Sequence, residues 1–385
     1  MKRSHLKLYS IILILCAFIP HDTPNATAQK KYTVKVLIGE HTNRSSNQTW
    51  KITSSTGFLL YNPAQKIDWH WLHQPTLTIS HNRGQLLING TPYKEATLRI
   101  IPKDGYAGID NVQYHGSFSI AQEQSKTYLI NHVDLEEYVY SVLKTESWPG
   151  WPIEVNKAFA ISSRSYVVAM ISQMSSNRPY HVKNTNEHQT YRGMHNTNSI
   201  RAAVEQTKGM ILMHNNEPAL TMFDSCCGGI IPAHISDFDF QKAPYLARPY
   251  ACTHCSQCRI YSWQKEVPLT EINKQIASLF DKPGMVHHIA IAQTDKAGLV
   301  TEVNIKQGNH SHTLSGKQLY SALKDIKSYC YSVERKSDKL ILSGKGYGHH
   351  LGMCQWGARE MVRDGWHYKR ILAFYYPGTE LKKVV

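Results

Sequence analysis

The run Asp134-Leu-Glu-Glu-Tyr-Val-Tyr-Ser-Val-Leu-Lys-Thr-Glu146-Ser-Trp-Pro-Gly-Trp-Pro152 is where the chain changes its period. Leu135, Tyr138, Val139, Val142 and Leu143 recur at helical spacing and line one stripe of a helix. Two prolines and a glycine follow at once and stop it, leaving Glu146 at or near the helix C-terminus with Trp148 and Trp151 beside it. A second helix is expected from Pro152 to Met170, through Val155, Ala158, Phe159, Ile161 and Ser162.

Upstream, the text is written in strands. From Lys31 to His132 short alternating runs (Tyr32 to Ile38, Thr76 to Ile79, Ala96 to Ile101) are separated by Asn, Gly, Pro and Ser. Downstream, a polar loop from Ser172 to Asn198 precedes a helix over Ser199 to Thr207. A hairpin-like pair follows, Gly209 to His214 and Pro218 to Phe223, turning at Asn215-Asn216. Strands over Met285 to Gln293 and Val300 to Gln307, a helix over Ser315 to Leu323 and a last helix over Gln355 to Asp364 complete the reading. The elements intersperse without a βαβ rhythm, which predicts an α+β fold with mixed, mostly antiparallel sheets. The expected division is a leader over 1–28, a β-rich part over 29–132 and a region over 133–385, with 29–385 also readable as one continuous module.

Lys2, Arg3 and Lys7 precede an apolar run from Tyr9 to Pro20, and Ala26-Thr27-Ala28 offers the small-x-small pattern of a signal-peptidase site. An exported protein of the periplasm or cell envelope is expected, with no transmembrane anchor once the leader is removed, because the apolar run is too short to span a bilayer comfortably. The net charge of +14 suits polyanionic surroundings. No basic run with interleaved aromatics occurs, which argues against nucleic acid as a partner.

A carboxyl near a helix C-terminus, flanked by indoles, has its charged form disfavoured by dipole and desolvation alike, so Glu146 is the candidate general acid. The plainer reading is a helix-end glutamate in an ion pair with Lys144 or Arg164. Lys157 and Arg164, seven residues apart, share one helix face; they suit an acetamido or lactyl group, or simply solvent. The stretch Gly344 to Ala358 holds five glycines around His349, Gln355 and Trp356, the mark of close-packed backbone or of a ligand approach. Cys252-Thr-His-Cys255-Ser-Gln-Cys258 places three thiols at metal-ligand spacing, with Cys226 and Cys227 about twenty-five residues upstream. Cys226, Cys252, Cys255 and Cys258 make a candidate zinc set, against which stands disulfide formation in an oxidising compartment. Cys330 and Cys354 are open to pairing or to burial as thiols.

Eight blocks now occur together: Val133 to Val139, Thr145 to Pro149, Lys157 to Tyr166, Gln189-Thr-Tyr-Arg-Gly193, Cys227-Gly-Gly229, Leu314-Ser-Gly316, Gly348-His349 with Gly352 to Ala358, and Tyr375 to Thr379. Their order resembles the SpoIID family, the stage II sporulation protein D or amidase-enhancer type, over Tyr32 to Leu381. The resemblance implies a peptidoglycan lytic transglycosylase acting on peptide-stripped glycan strands at division or sporulation, with an amidase working upstream. Glu146 matches the family's catalytic glutamate. Trp148, Lys157, Arg164, Tyr166, Gln189, Tyr191, His349 and Gln355 fall in matching blocks and are expected at the substrate, and zinc near the active site occurs in some members. The other reading is a non-catalytic denuded-glycan-binding protein or an enhancer of an N-acetylmuramoyl-L-alanine amidase. Asp224 stands where relatives often have His, and His350 where they often have Gly.

Overall fold

A computed structural model describes residues 32–42, 48–63, 69–82, 84–148, 150–174, 178–281 and 284–384. The expected leader lies outside the described residues, as does Pro149. No helix of the described residues is long and apolar enough to cross a membrane.

The α+β expectation holds. Seven α-helices occur among the described residues: α1 (Leu135–Glu146), α2 (Ile153–Gln173), α3 (Asn198–Gln206), α4 (Leu269–Ile276), α5 (Gly316–Ala322), α6 (Gln355–Arg363) and α7 (Tyr368–Tyr375). Upstream of α1 lie a seven-stranded sheet, completed by the short later strand Val182–Lys183, and a six-stranded sheet. Strand Thr33–Thr42 pairs antiparallel with Lys126–Asp134 and buries Val34 and Val36 on its inner face. Alternation of this kind buries one face of a strand and leaves the other to solvent or to a neighbour.

Strand Lys126–Asp134 runs directly into α1. Asp134 caps the helix, its Oδ1 accepting from Glu136 N at 2.9 Å, and Glu136 and Glu137 place negative charge in the first turn, where the helix dipole favours it. At the other end Ser147 turns to extended backbone, its N–H still bonded to Leu143 O at 2.9 Å. Helix α2 is buried nearly all round, as a helix apolar on every face must be. One core cluster joins the sheets to α1, α2, α6 and α7 through Val34, Phe118, Tyr138, Phe159, Met361 and Tyr375, crossing the 132/133 boundary. Each large apolar side chain in it contributes roughly 1.5–3 kcal/mol by leaving water.

A second, separate core was not legible in the sequence. It joins Val267, Ile272, Val286, Ile305, Leu319 and Leu342, where two three-stranded antiparallel sheets meet α4 and α5. The hairpin turns where expected, with Asn215 and Asn216 at φ of 49° and 64°, the left-handed pair that a tight turn requires, but its second arm is only Glu217–Pro218, and Phe223–Asp224 pairs instead in parallel with Met353–Cys354.

Candidate active site and cysteine cluster

Glu146, the last residue of α1, opens into a cleft of about 500 Å³ whose far side carries Ser225, Arg259, Tyr347 and Gln355. A groove of about 890 Å³ lies alongside, lined by Tyr261, Trp263 and Lys345, but it holds no carboxylate. Of these two spaces only the smaller presents a carboxylate; a third cavity, of about 270 Å³, is lined by Asp237 and Asp295.

The Glu146 wall is held by a loop stitched onto α1. Thr190 N donates to Glu146 Oε1 at 3.0 Å, while Thr145 Oγ1 donates to Thr190 O at 2.5 Å. Tyr138 Oη donates to Gln189 Oε1 at 3.0 Å, Tyr191 Oη to Asn131 Oδ1 at 2.7 Å, and Arg192 N to Ser141 Oγ at 3.2 Å. Gln189 and Tyr191 are each 1% exposed, so the expectation that they touch substrate is corrected: they position the loop that positions Glu146.

Arg164 is corrected more sharply. It is fully buried, its Nε and Nη2 bonding Glu136 Oε1 and Oε2 at 2.9 and 2.6 Å and its Nη1 bonding Met210 O at 3.0 Å. No substrate reaches it, and it does not pair with Glu146. Lys157 bonds Glu154 Oε1 at 2.7 Å, and Glu154 Oε2 accepts from Tyr368 N, so this lysine ties α2 to α7 and is not part of the cleft lining. Tyr166 and Gln189 meet His349 around a separate void of about 70 Å³, where burial and then Glu187 push the Tyr166 phenol up to about 12. His349 is held down to about 4 by burial and by His350, and its Nδ1 accepts from Leu351 N at 3.1 Å. None of these three lines the Glu146 cleft. Trp148 does, half exposed, whereas Trp151 packs on Phe159 and Trp356.

What the sequence reading missed is Arg259. Its guanidinium lies 5.5 Å from the Trp148 ring centre and 6.0 Å from that of Trp356, with no carboxylate partner among the described residues. The one available signal was its place directly after Cys258.

The thiols converge, but in a different set from the expected one. Cys227, Cys252, Cys255 and Cys354 are all buried, with their sulfurs within 4.8 Å of one another. Cys226 and Cys258 fall outside this group and face each other at 3.5 Å. Cys226 borders Cys255 and Cys354 without belonging to the mutual four-sulfur group. The four-sulfur set fits a tetrahedral metal. Zinc with bonds of about 2.3 Å separates its sulfur ligands by roughly 3.8 Å, and Cys227 and Cys255 stand 3.6 Å apart. Cys354 Sγ receives Cys227 N and Gly357 N, each at 3.3 Å, and Cys252 Sγ lies 3.2 Å from Tyr375 Oη. Such donors orient and stabilise thiolate ligands. A Cβ on Gly357 would stand 2.7 Å from Cys252 Sγ, so only glycine fits there. His254 bonds Asp364 at 3.0 Å and is no ligand in this arrangement.

Residues 123–214 match the stage II sporulation protein family, SpoIID, and residues 247–352 match a domain of unknown function, DUF8618. An uncharacterized protein of Brachyspira hyodysenteriae is 29% identical over 311 residues, covering 80% of this chain and 83% of that protein. The amidase enhancer of Bacillus subtilis is 24% identical over 358 residues, 80% of this chain but 50% of its own length. Stage II sporulation protein D of Bacillus subtilis is 25% identical over 269 residues, 66% of this chain and 76% of that protein. This match and these relatives support a SpoIID-family assignment for the chain.

The SpoIID match takes in α1, Glu146, α2 and the loop that holds them, while the second match takes in the second core, Arg259 and two of the four clustered cysteines, Cys252 and Cys255. At the two positions expected to depart from the family pattern, Asp224 and His350, the geometry gives local reasons. His350 takes a φ of +67°, the region glycine enters freely, and it is fixed there by His350 N donating to Asp224 Oδ2 at 2.8 Å and by Nδ1 bonding Cys227 O at 3.0 Å. Burial raises Asp224 well above the usual carboxylate range. Asp224 and His350 thus brace the cysteine cluster.

Proposed function

We propose that this chain is an exported lytic transglycosylase that cuts the glycan backbone of peptide-stripped peptidoglycan and leaves 1,6-anhydro-muramyl ends. One observation carries the reading: among the described residues Glu146 is the only carboxylate lining the cleft, and it has no ion-pair partner. Hydrolytic glycosidases need two carboxylates. A muramyl sugar supplies its own nucleophile, so one acid suffices. Glu146 donates a proton to the glycosidic oxygen as that bond breaks; the N-acetyl oxygen or the C6 hydroxyl attacks the anomeric carbon. The Glu146 carboxylate then takes the proton released from the C6 hydroxyl as the 1,6-anhydro ring closes. Thr190 N fixes Oε1 and leaves Oε2 to face the sugar.

The basic role expected of Lys157 and Arg164 passes to Arg259 and Lys144, which line the same cleft. Removing the stem peptide frees the lactyl carboxylate of muramic acid, and a guanidinium with no carboxylate partner among the described residues is the group to receive it. Trp148 offers a face for a sugar ring. Zinc is the metal that best suits the four thiols; bound there it would hold the Arg259 wall in place, with no part in the proton transfers. Metal analysis of the purified protein should give about one zinc per chain, and none would remove the assignment.

The match to an amidase enhancer supports the other reading, a glycan-binding partner of an amidase. Amidase-treated strands distinguish the two. Anhydro-muramyl ends formed by the wild type and lost with Glu146→Gln establish cleavage; strand binding without such ends establishes the binder.

A further inference from the structure

The mature chain is expected to carry seven cysteines, since one of the eight, Cys16, lies in the leader. Four form the metal set, and Cys330 sits apart on the neighbouring groove. Two remain, and they meet. Cys226 Sγ and Cys258 Sγ are 3.5 Å apart and separated by 32 positions in sequence; Cys226 also borders Cys255 and Cys354, but neither Cys226 nor Cys258 belongs to the mutual four-sulfur group. The similar spacing of Cys227 and Cys255 has a different cause, because those sulfurs complete a tetrahedron with two others.

We propose that Cys226 and Cys258 form a disulfide that clamps the Arg259 wall of the cleft. Side-chain rotations closing the sulfur separation by about 1.5 Å would reach the bonded distance. Cys258 is partly exposed and Cys226 is not, which sets the order of events. A disulfide oxidant is attacked by the Cys258 thiolate, one oxidant thiol leaves, and Cys226 then attacks the mixed disulfide at the Cys258 sulfur. Two protein thiols become one S–S bond while the oxidant disulfide becomes two thiols, so electrons and protons balance. Both ends are placed to act on the site. Cys226 follows Ser225 and Cys258 precedes Arg259, and Ser225 and Arg259 both line the Glu146 cleft. The bond would tie these two segments together independently of the metal.

The test uses the mature chain loaded with zinc and equilibrated with oxidised glutathione, then unfolded with chelator and alkylated. The expected result is five labels per chain, seven after prior reduction, with one zinc per chain throughout. Cys258→Ser should give six labels with or without the oxidant, while Cys226→Ser should trap the mixed disulfide on Cys258, giving five labels and one bound glutathione by mass after oxidation and six labels without it; both should keep the zinc. Seven labels after oxidation would overturn the proposal, as would oxidation that expels the zinc. So would a second metal equivalent retained by the unoxidised chain, which would make this pair ligands. Five labels with no bound glutathione by intact mass decide for the wild type, and five labels carrying two glutathione adducts would overturn the proposal, so failure of either variant to fold leaves the test intact. Since no cleavage is measured, the outcome is also independent of the transglycosylase reading.

Discussion

The two walls of the cleft are built by different physics. The Glu146 wall rests on the main core: α1 grows out of a strand, Asp134 caps it, and the Gln189 to Arg192 loop is pinned by buried hydroxyls of Tyr138 and Tyr191. The Arg259 wall is a run of loops and 3-10 turns organised around thiols, with little regular structure between Ser225 and Ile260. One wall rests on the main core; the other is built around thiols that could hold a metal. The proposed proton donor thus sits on the part that metal binding would not move, and the basic side chain proposed to read the sugar's substituent sits on the part that it would.

The largest expected effect is on the first wall. Glu146→Gln keeps the shape and the Thr190 contact but removes the proton, so anhydro-end formation should fall by about 10²–10⁴-fold with unchanged melting temperature. Residual cleavage within tenfold of wild type would strip Glu146 of the acid role.

Next is the support beneath that wall. Arg164→Ala leaves Glu136 buried and unpaired, and Glu136 Oε1 also takes Gly209 N at 3.1 Å. A loss of about 3–5 kcal/mol of stability is expected in denaturant melts, with zinc content per folded chain unchanged. Loss of zinc in step with loss of stability would show that the two walls are one cooperative unit.

Much of this was legible in the chain. The helix before Pro149, the break, α2 and the Asn215-Asn216 turn were readable because period and turn chemistry are local signals. Glu146 followed from where the helix must stop. Arg164 misled because helical spacing tells which residues share a face and not what that face meets; its partner Glu136 lies 28 positions away. The metal set went half wrong for the same reason. Cys354 joins from 127 positions beyond Cys227, and nothing local chooses Cys227 over its neighbour. The second core escaped notice because several of its elements, such as Leu269–Ile276 and Tyr331–Lys336, are too short to show a period.

A smaller effect belongs to the second wall. Arg259→Ala should weaken binding of peptide-stripped strands by roughly 10–100-fold, the worth of a charge-assisted hydrogen bond. Strands whose lactyl group is still amide-linked should bind both forms alike. Equal weakening for both strand types would assign Arg259 to packing against Trp148 and remove it from carboxylate recognition.

The smallest effect separates the walls by pH. His181 Nδ1 accepts from Lys35 N at 3.1 Å at the edge of the sheet beneath the first wall, so only the neutral ring fits, and burial followed by Lys35 holds its pKa down to about 4. In the unfolded chain the ring takes its proton near 6.5. Between those values the unfolded state carries more protons than the folded one, so stability rises with pH across the window and is lost as pH falls from about 6.5 towards 4. His181→Gln keeps an acceptor for Lys35 N and cannot titrate. Melting temperatures measured from pH 7 to 4 should therefore fall less steeply in the variant than in the wild type. Identical slopes would place the acid sensitivity elsewhere, with the thiol cluster on the opposite wall as the first alternative, since protons compete with a metal for its sulfurs.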